Sequence, residues 1–131
     1  MMISSRIVQN ELDFVKVLPL VLRYFSKIND IPLSQSLKEI CEWNEDKIVI
    51  LVEKDKVPEG YLCGWFTGPK TFFISQTFAS SPKVGNEIEK AIVKMAKRVG
   101  VNRIATTTPH PPKVFEKRGF KLKRFLMEKE I

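Results

Sequence analysis

The spacing of hydrophobic positions changes several times along the chain, and each change marks a predicted element. Leu12, Val15, Leu18, Leu22 and Phe25 recur at three- and four-residue intervals, the stripe of an amphipathic helix. Asn10, followed by Glu11 and Asp13, reads as the capped start of that helix with acidic residues in its first turn. Pro19 should kink or divide it. Beyond Asn29-Asp30 the helical period returns from Pro32 to Trp43 through Leu33, Leu37, Ile40 and Cys41. The pattern then becomes extended: Ile48 to Val52 is a β-branched run, Tyr61 to Phe66 a second strand and Thr71 to Phe78 a third. Turns are expected over Asp55 to Gly60 and at Gly68-Pro69. Three consecutive strands most simply form an antiparallel meander.

Ser80, Ser81 and Pro82 stop the third strand. Ile88, Ala91, Ile92, Met95, Ala96 and Val99 then follow a strict helical period, with Glu87, Glu89, Lys90, Lys94 and Lys97 on the other faces. Gly100 closes this helix as a left-handed cap would. Val101 to Thr108 predicts a strand, Lys113 to Arg118 a short helix after Pro109, Pro111 and Pro112, and Phe120 to Glu130 a last strand. A strand, helix and strand following a meander imply a mixed sheet, because the long crossover favours parallel pairing. The expected fold is therefore α/β (α+β): a mixed, mostly antiparallel central sheet flanked by helices, in one domain over residues 1–131.

Composition narrows the function. With 131 residues and a hydrophobic share of 44%, the chain can bury a core without disulfides or structural metal. No apolar run reaches a membrane-spanning length and the first ten residues lack the apolar stretch of a signal peptide, so a cytoplasmic address is expected. Cys41 and Cys63 are far apart in sequence and His110 is the one histidine, which leaves no zinc-ligand spacing. Charge is divided unevenly: residues 1–65 carry 8 basic and 10 acidic side chains, residues 66–131 carry 14 and 5. An anionic ligand or partner is expected at the second half, with a solvated basic face as the plain alternative. The aromatic set Trp65, Phe66, Phe72, Phe73 and Phe78 reads as core packing, and without an RNA-binding signature nucleic acid is not the expected partner.

The element order, and above all the segment Val114-Phe115-Glu116-Lys117-Arg118-Gly119-Phe120, resembles the GNAT superfamily of N-acetyltransferases, whose corresponding segment is F-Y-E-K-x-G-F. Placing Gly100 on the glycine that closes the family's third helix sets Gly85 on the last small residue of its Q/R-x-x-G-x-G/A pyrophosphate loop. The resemblance implies an acyl-coenzyme A dependent N-acetyltransferase with acetyl-coenzyme A as donor and a small-molecule or peptide amine as acceptor. It implies cofactor contacts from Lys83, Val84, Gly85 and Asn86 at the helix start, from the backbone of the strand ending at Phe78, and from Lys113 and Lys117. A helix N-terminus suits a diphosphate because its backbone N–H groups lack intrahelical partners and carry partial positive charge.

The chain departs from the family at defined positions. The Q/R position falls on Ser80 and the first glycine position on Lys83, while Glu87 adds a carboxylate near the helix start. Phe115 replaces the tyrosine that protonates the departing thiolate in many members, and Thr71 to Thr77 holds no carboxylate to serve as base. His110, in the loop after the predicted strand Val101 to Thr108, and Tyr61 are the substitute proton-transfer candidates, with Tyr24 a further tyrosine read chiefly as packing. The alternative function is a non-catalytic module of the same fold, whose basic C-terminal half contacts an acidic protein or nucleic acid.

Overall fold

The computed structural model describes residues 2–27, 31–106, 117, 119, 120 and 129, and for residues 25–27 the backbone alone. The elements are β1 (Ile3–Ile7), α1 (Glu11–Lys27), α2 (Leu33–Cys41) with a 3-10 turn at Glu42–Asn44, β2 (Ile48–Lys54), β3 (Val57–Gly68), β4 (Thr71–Ala79), α3 (Pro82–Val99) and β5 (Arg103–Thr106). They form one five-stranded sheet in chain order. The first three pairings are antiparallel, whereas β4 and β5 run parallel from Thr71 opposite Arg103 to Ile74 opposite Thr106. The mixed sheet expected from the sequence is thus present. The expected short helix and last strand lie outside the described residues.

Helices α1 and α2 cover one face of the sheet and α3 the other. Val17, Leu20, Val21 and Tyr24 of α1 and Ile40 of α2 pack on Val49, Leu51, Tyr61, Cys63 and Phe78. On the opposite face, Val84, Ile88, Ile92, Met95 and Ala96 of α3 pack on Ile50, Val52, Leu62, Phe72 and Ile74. Alternation along β2 and β3 sends successive residues to opposite cores, which is why these strands read as continuous apolar runs.

One strand was not expected, and four expectations are corrected. Ile3–Ile7 is a strand, paired with β2 from Ile3 opposite Lys54 to Ile7 opposite Ile50. The buried side of α1 is Asp13, Val17, Leu20, Val21 and Tyr24, while Leu12, Val15 and Leu22 of the expected stripe are exposed. Apolar residues surround this helix, so period alone does not choose its inner face; ionic contacts do. The Arg6 guanidinium of β1 donates to Asp13 Oδ1 at 2.7 Å and Oδ2 at 3.0 Å, and also pairs with Glu53 of β2. That fixes the first turn with Asp13 inward, and the Asp13 N–H donates to Asn10 Oδ1 at 2.9 Å, the expected cap. The helix continues undivided through Pro19.

The expected turn over Asp55 to Gly60 shrinks to Asp55-Lys56, whose φ angles of 52° and 67° match the mirror-image turn that suits a two-residue hairpin. Gly60 belongs to β3. A Cβ there would lie 2.5 Å from Val84 Cγ1 and 2.9 Å from the Phe78 carbonyl oxygen, so the missing side chain lets α3 seat on the sheet. Finally, α3 begins at Pro82, three residues before the expected Gly85. It ends as expected on Gly100, with φ 81°.

Candidate functional site

The strand β4 carries a bulge before it leads into α3. Cys63 opposes Gln76 but Gly64 opposes Ile74, so Ser75 is an extra residue in β4. In a regular strand Ile74 and Gln76, two positions apart, would share a face; with the bulge, Phe72 and Ile74 face α3, whereas Gln76 and Phe78 face α1 and α2. Gly64 makes the bulge possible, since a Cβ there would lie 2.3 Å from the Phe73 carbonyl oxygen and 2.7 Å from Phe72 Cζ. The bulge adjoins Ile74, the last β4 residue with a described β5 partner, and Thr106 Oγ1 donates to the Ile74 carbonyl at 3.1 Å.

On the α2 side the bulge carries a buried polar network. The Gln76 amide is enclosed, with 1% exposure. Its Nε2 donates to the Ser36 carbonyl at 3.2 Å and to Glu39 Oε1 at 3.0 Å, and its Oε1 accepts from the Tyr61 hydroxyl at 2.7 Å. The half-buried Ser75 donates from Oγ to the same Glu39 Oε1 at 2.6 Å, and Gln35 Nε2 donates to Glu39 Oε2 at 2.9 Å. Glu39 is 4% exposed, and among the described residues no cation stands within ion-pair distance of it. A buried carboxylate held only by neutral donors is costly to desolvate and is compensated here by several hydrogen bonds.

On the α3 side lies a cleft of about 690 Å³. Leu62, Ile74, Ile88, Ile92 and Ala96 form much of its apolar wall, Thr77, Ala79 and Gly85 line it near the start of α3, and Phe120 borders it too. Next to it, the outer face of α3 exposes Lys83, Lys90, Lys94, Lys97 and Arg98.

The sequence-predicted residues divide between these places. Gly85 lines the cleft. Lys83 is exposed in the first turn of α3, and Asn86 lies on a neighbouring surface groove beside Lys90 and Lys94. Val84 is enclosed in the core, and its N–H donates to the Ser81 hydroxyl oxygen at 3.3 Å. The Gly85 N–H donates to the Ser81 carbonyl at 3.0 Å. Because Ser81 takes the Val84 and Gly85 N–H groups and Pro82 carries no amide proton, these groups do not form the open nest expected over Val84 to Asn86. Glu87 accepts from the Ser5 hydroxyl of β1 at 3.3 Å, so its carboxylate is engaged with the sheet edge.

Phe78 is buried on the α1 face, where the Arg23 guanidinium lies 5.0 Å from its ring centroid. Tyr61 is fully enclosed, and burial raises its hydroxyl well above the usual phenol range. Its proton is committed to Gln76, so Tyr61 stands as a support of the network, away from the α3-side cleft. Burial also pushes the Cys63 thiol up, in keeping with a packed, unreactive cysteine. Lys117 is exposed, while His110, Lys113 and Phe115 lie outside the described residues.

Sequence reasoning missed Glu39 and Ser75. The signal was Gln76 within an otherwise apolar strand: a glutamine on an interior strand needs partners for two donors and its acceptor, and α2 supplies them.

A mixed sheet of this order, with two helices on one face and the β4–α3–β5 crossover on the other, is the fold of the GNAT N-acetyltransferases. Over 100% of this chain and 99% of the other, it is similar at TM-score 0.75 and 15% identity to the aminoglycoside N-acetyltransferase AAC(6')-Iy in complex with a bisubstrate analogue, CoA-S-monomethyl-acetylneamine. It is similar at TM-score 0.70 and 10% identity, over 99% of this chain and 98% of the other, to the ribosomal-protein-alanine N-acetyltransferase from Brucella melitensis biovar Abortus 2308. A transcriptional regulator from Bacillus halodurans C-125 matches at TM-score 0.70 and 19% identity, over 99% of this chain and 100% of the other. No family model matches the sequence, and no curated protein does.

Proposed function

We propose that the protein is an acyl-coenzyme A dependent N-acetyltransferase that acetylates a cationic amine. The observation that carries this reading is the apolar cleft between β4 and α3, which begins at Gly85 beside the exposed Lys83 and lies in a fold shared with enzymes solved with coenzyme A. Acetyl-coenzyme A, when bound, supplies an acyl group already activated as a thioester. The cleft is a fit for its uncharged arm, since Ile74, Ile88 and Ile92 give apolar surface and Thr77 a polar edge. Lys83, exposed at the start of α3, is assigned to contact phosphate, and Lys113 and Lys117 are assigned to the same role.

Charge supports the direction of approach. The α3 face exposes lysines, which favours an anionic donor there, whereas just after α2 Glu45 is exposed and the Glu42 and Asp46 carboxylates share one cation, Lys47, at 3.9 and 3.2 Å. Acyl transfer from a thioester needs positioning more than strong acid catalysis, which makes Phe115 compatible with turnover.

The test is thermal unfolding with and without acetyl-coenzyme A, followed by thiol release with spermidine, neamine and an alanine-terminated peptide as acceptors. A ligand at 100 times its dissociation constant stabilises by about 2.7 kcal/mol. Stabilisation with turnover supports the enzyme. No thermal shift and no thiol release refute it and favour the non-catalytic module, a reading that the Ser81 cap on the Val84 N–H also favours.

A further inference from the structure

Every carboxylate on the described strands is distant from the β4 bulge in sequence, and β4 itself has none. Yet a carboxylate stands against that bulge, delivered by α2. We infer that Ser75 and Glu39 form the proton-accepting pair of the transfer reaction, with Ser75 Oγ the catalytic group that meets the amine and Glu39 the positioning residue behind it. The inference rests on the acetyltransferase reading.

Three features lead to it. The Ser75 hydroxyl is half-buried, and it donates to Glu39 Oε1 at 2.6 Å, a short charge-assisted bond. With its proton so directed, the hydroxyl oxygen has lone pairs available to a donor from outside. Second, Ser75 is the bulge residue, unopposed on β3 and next to the last β4 residue with a described β5 partner. Bulges re-aim side chains, and this one turns both Ser75 and Gln76 toward α2. Third, the carboxylate is held without a neutralising cation among the described residues. Gln76 and Gln35 orient it, Gln76 is fixed in turn by Tyr61, and each bond is between 2.7 and 3.0 Å. A structural purpose alone would be met by a glutamine or an apolar residue at lower desolvation cost.

The step is balanced as follows. The neutral amine nitrogen attacks the thioester carbonyl carbon, forming the N–C bond, and the C–S bond breaks as the electron pair leaves with sulfur. The nitrogen loses one proton to Ser75 Oγ while the hydroxyl proton passes to Glu39 Oε1. The thiolate takes a proton from water, and Glu39 returns its proton to solvent through the same hydroxyl. Gln76 and Tyr61 move no proton, because an amide side chain does not relay one.

The experiment compares the full chain with Ser75→Ala, Glu39→Gln and Glu39→Asp. Glutamine keeps an oxygen for Ser75 and Gln76, and Gln35 can turn its own amide to match, so this variant is expected to fold. Acetyl-coenzyme A should raise the unfolding temperature of all four proteins equally. With the acceptor panel above, kcat should fall about 100-fold or more in Ser75→Ala and Glu39→Gln, the usual scale of lost acid–base assistance, at unchanged KM for acetyl-coenzyme A. Glu39→Asp should recover part of the rate. Wild-type kcat in either of the first two variants overturns the pair and leaves the acetyltransferase reading intact. Loss of the acetyl-coenzyme A thermal shift in the variants also overturns it, by showing that the residues only maintain the fold. A wild-type protein that binds acetyl-coenzyme A yet acetylates none of the acceptors overturns the pair, and one that does not bind acetyl-coenzyme A removes both readings.

Discussion

Replacing Arg6 with methionine should expose how strongly the ionic cluster at the edge strand holds α1. Arg6 bridges Asp13, whose side chain is 9% exposed, and Glu53, at 6%. Removing the cation leaves two buried carboxylates. Breaking a buried pair from one side costs about 3–5 kcal/mol. Two facts reduce the figure here: the Arg6 side chain is 37% exposed and thus partly screened, and the Lys16 ammonium stays 3.6 Å from Glu53. The expected loss at neutral pH is therefore about 2–3 kcal/mol. The pH dependence gives the sharper check. The hydrogen bond from Arg6 lowers the Asp13 pKa from its ordinary 3.8, against the opposing effect of burial. A depressed carboxyl stabilises the fold above its unfolded value and loses that contribution as pH falls through the folded one. The wild type should thus lose this stability below about pH 4, where the variant has none of it to lose. Urea unfolding at pH 7 and pH 3.5 should show the difference between the two proteins shrinking with acidification. A difference under about 0.5 kcal/mol at pH 7, or one that does not change with pH, would refute the account.

Two further substitutions test the geometry around the cleft. Gly64→Ala places a Cβ 2.3 Å from a backbone carbonyl oxygen that cannot rotate away, so the β4 bulge must shift; a loss of about 1–3 kcal/mol in chemical denaturation is expected, and a neutral result would mean the bulge is not fixed by this glycine. Ser81→Gly removes the hydroxyl cap from the Val84 N–H at a cost of only a few tenths of a kcal/mol. If that amide is otherwise competent to bind phosphate, the variant should bind acetyl-coenzyme A more tightly by calorimetry, and weaker or equal binding would show that the cap does not compete with the ligand.

The order of elements from α1 to β5 is legible in the sequence because each carries its own period or its own stop. The helix α3 buries Ile88, Ile92, Met95 and Ala96 as its spacing predicts, although Val99 at the end of the same stripe is exposed, and Gly100 ends it with a positive φ. Local signals fail where a tertiary contact decides. Ile3–Ile7 is short and only half-buried, and β2 pairing makes it a strand. The inner face of α1 is chosen by Arg6, far from any hydrophobic count. The start of α3 moves to Pro82 because Ser81 is a good cap and proline suits the first helical position, signals first read as a strand stop. The candidate site was legible in part. Gly85 lines the cleft and Lys83 is exposed two positions before it, but the Glu39 and Ser75 contact joins residues 36 positions apart, and no spacing within either segment announces it.

The bulge at Ser75 also explains why one strand can serve two chemistries. Before it, Phe72 and Ile74 belong to the apolar core under α3; after it, Gln76 and Phe78 turn to α1 and α2, while Thr77 and Ala79 line the cleft. A regular strand of the same sequence would bury Gln76 against Ile88 and Ile92, where no polar partner exists among the described residues, at a cost of roughly 1–3 kcal/mol for each unsatisfied group. The extra residue removes that conflict and brings α2's carboxylate to the strand opposite the apolar cleft. The apolar cleft, with exposed lysines nearby, thus lies on one side of β4 and the Ser75–Glu39 pair on the other, and this division of the strand, more than any single side chain, is what the fold contributes to the proposed chemistry.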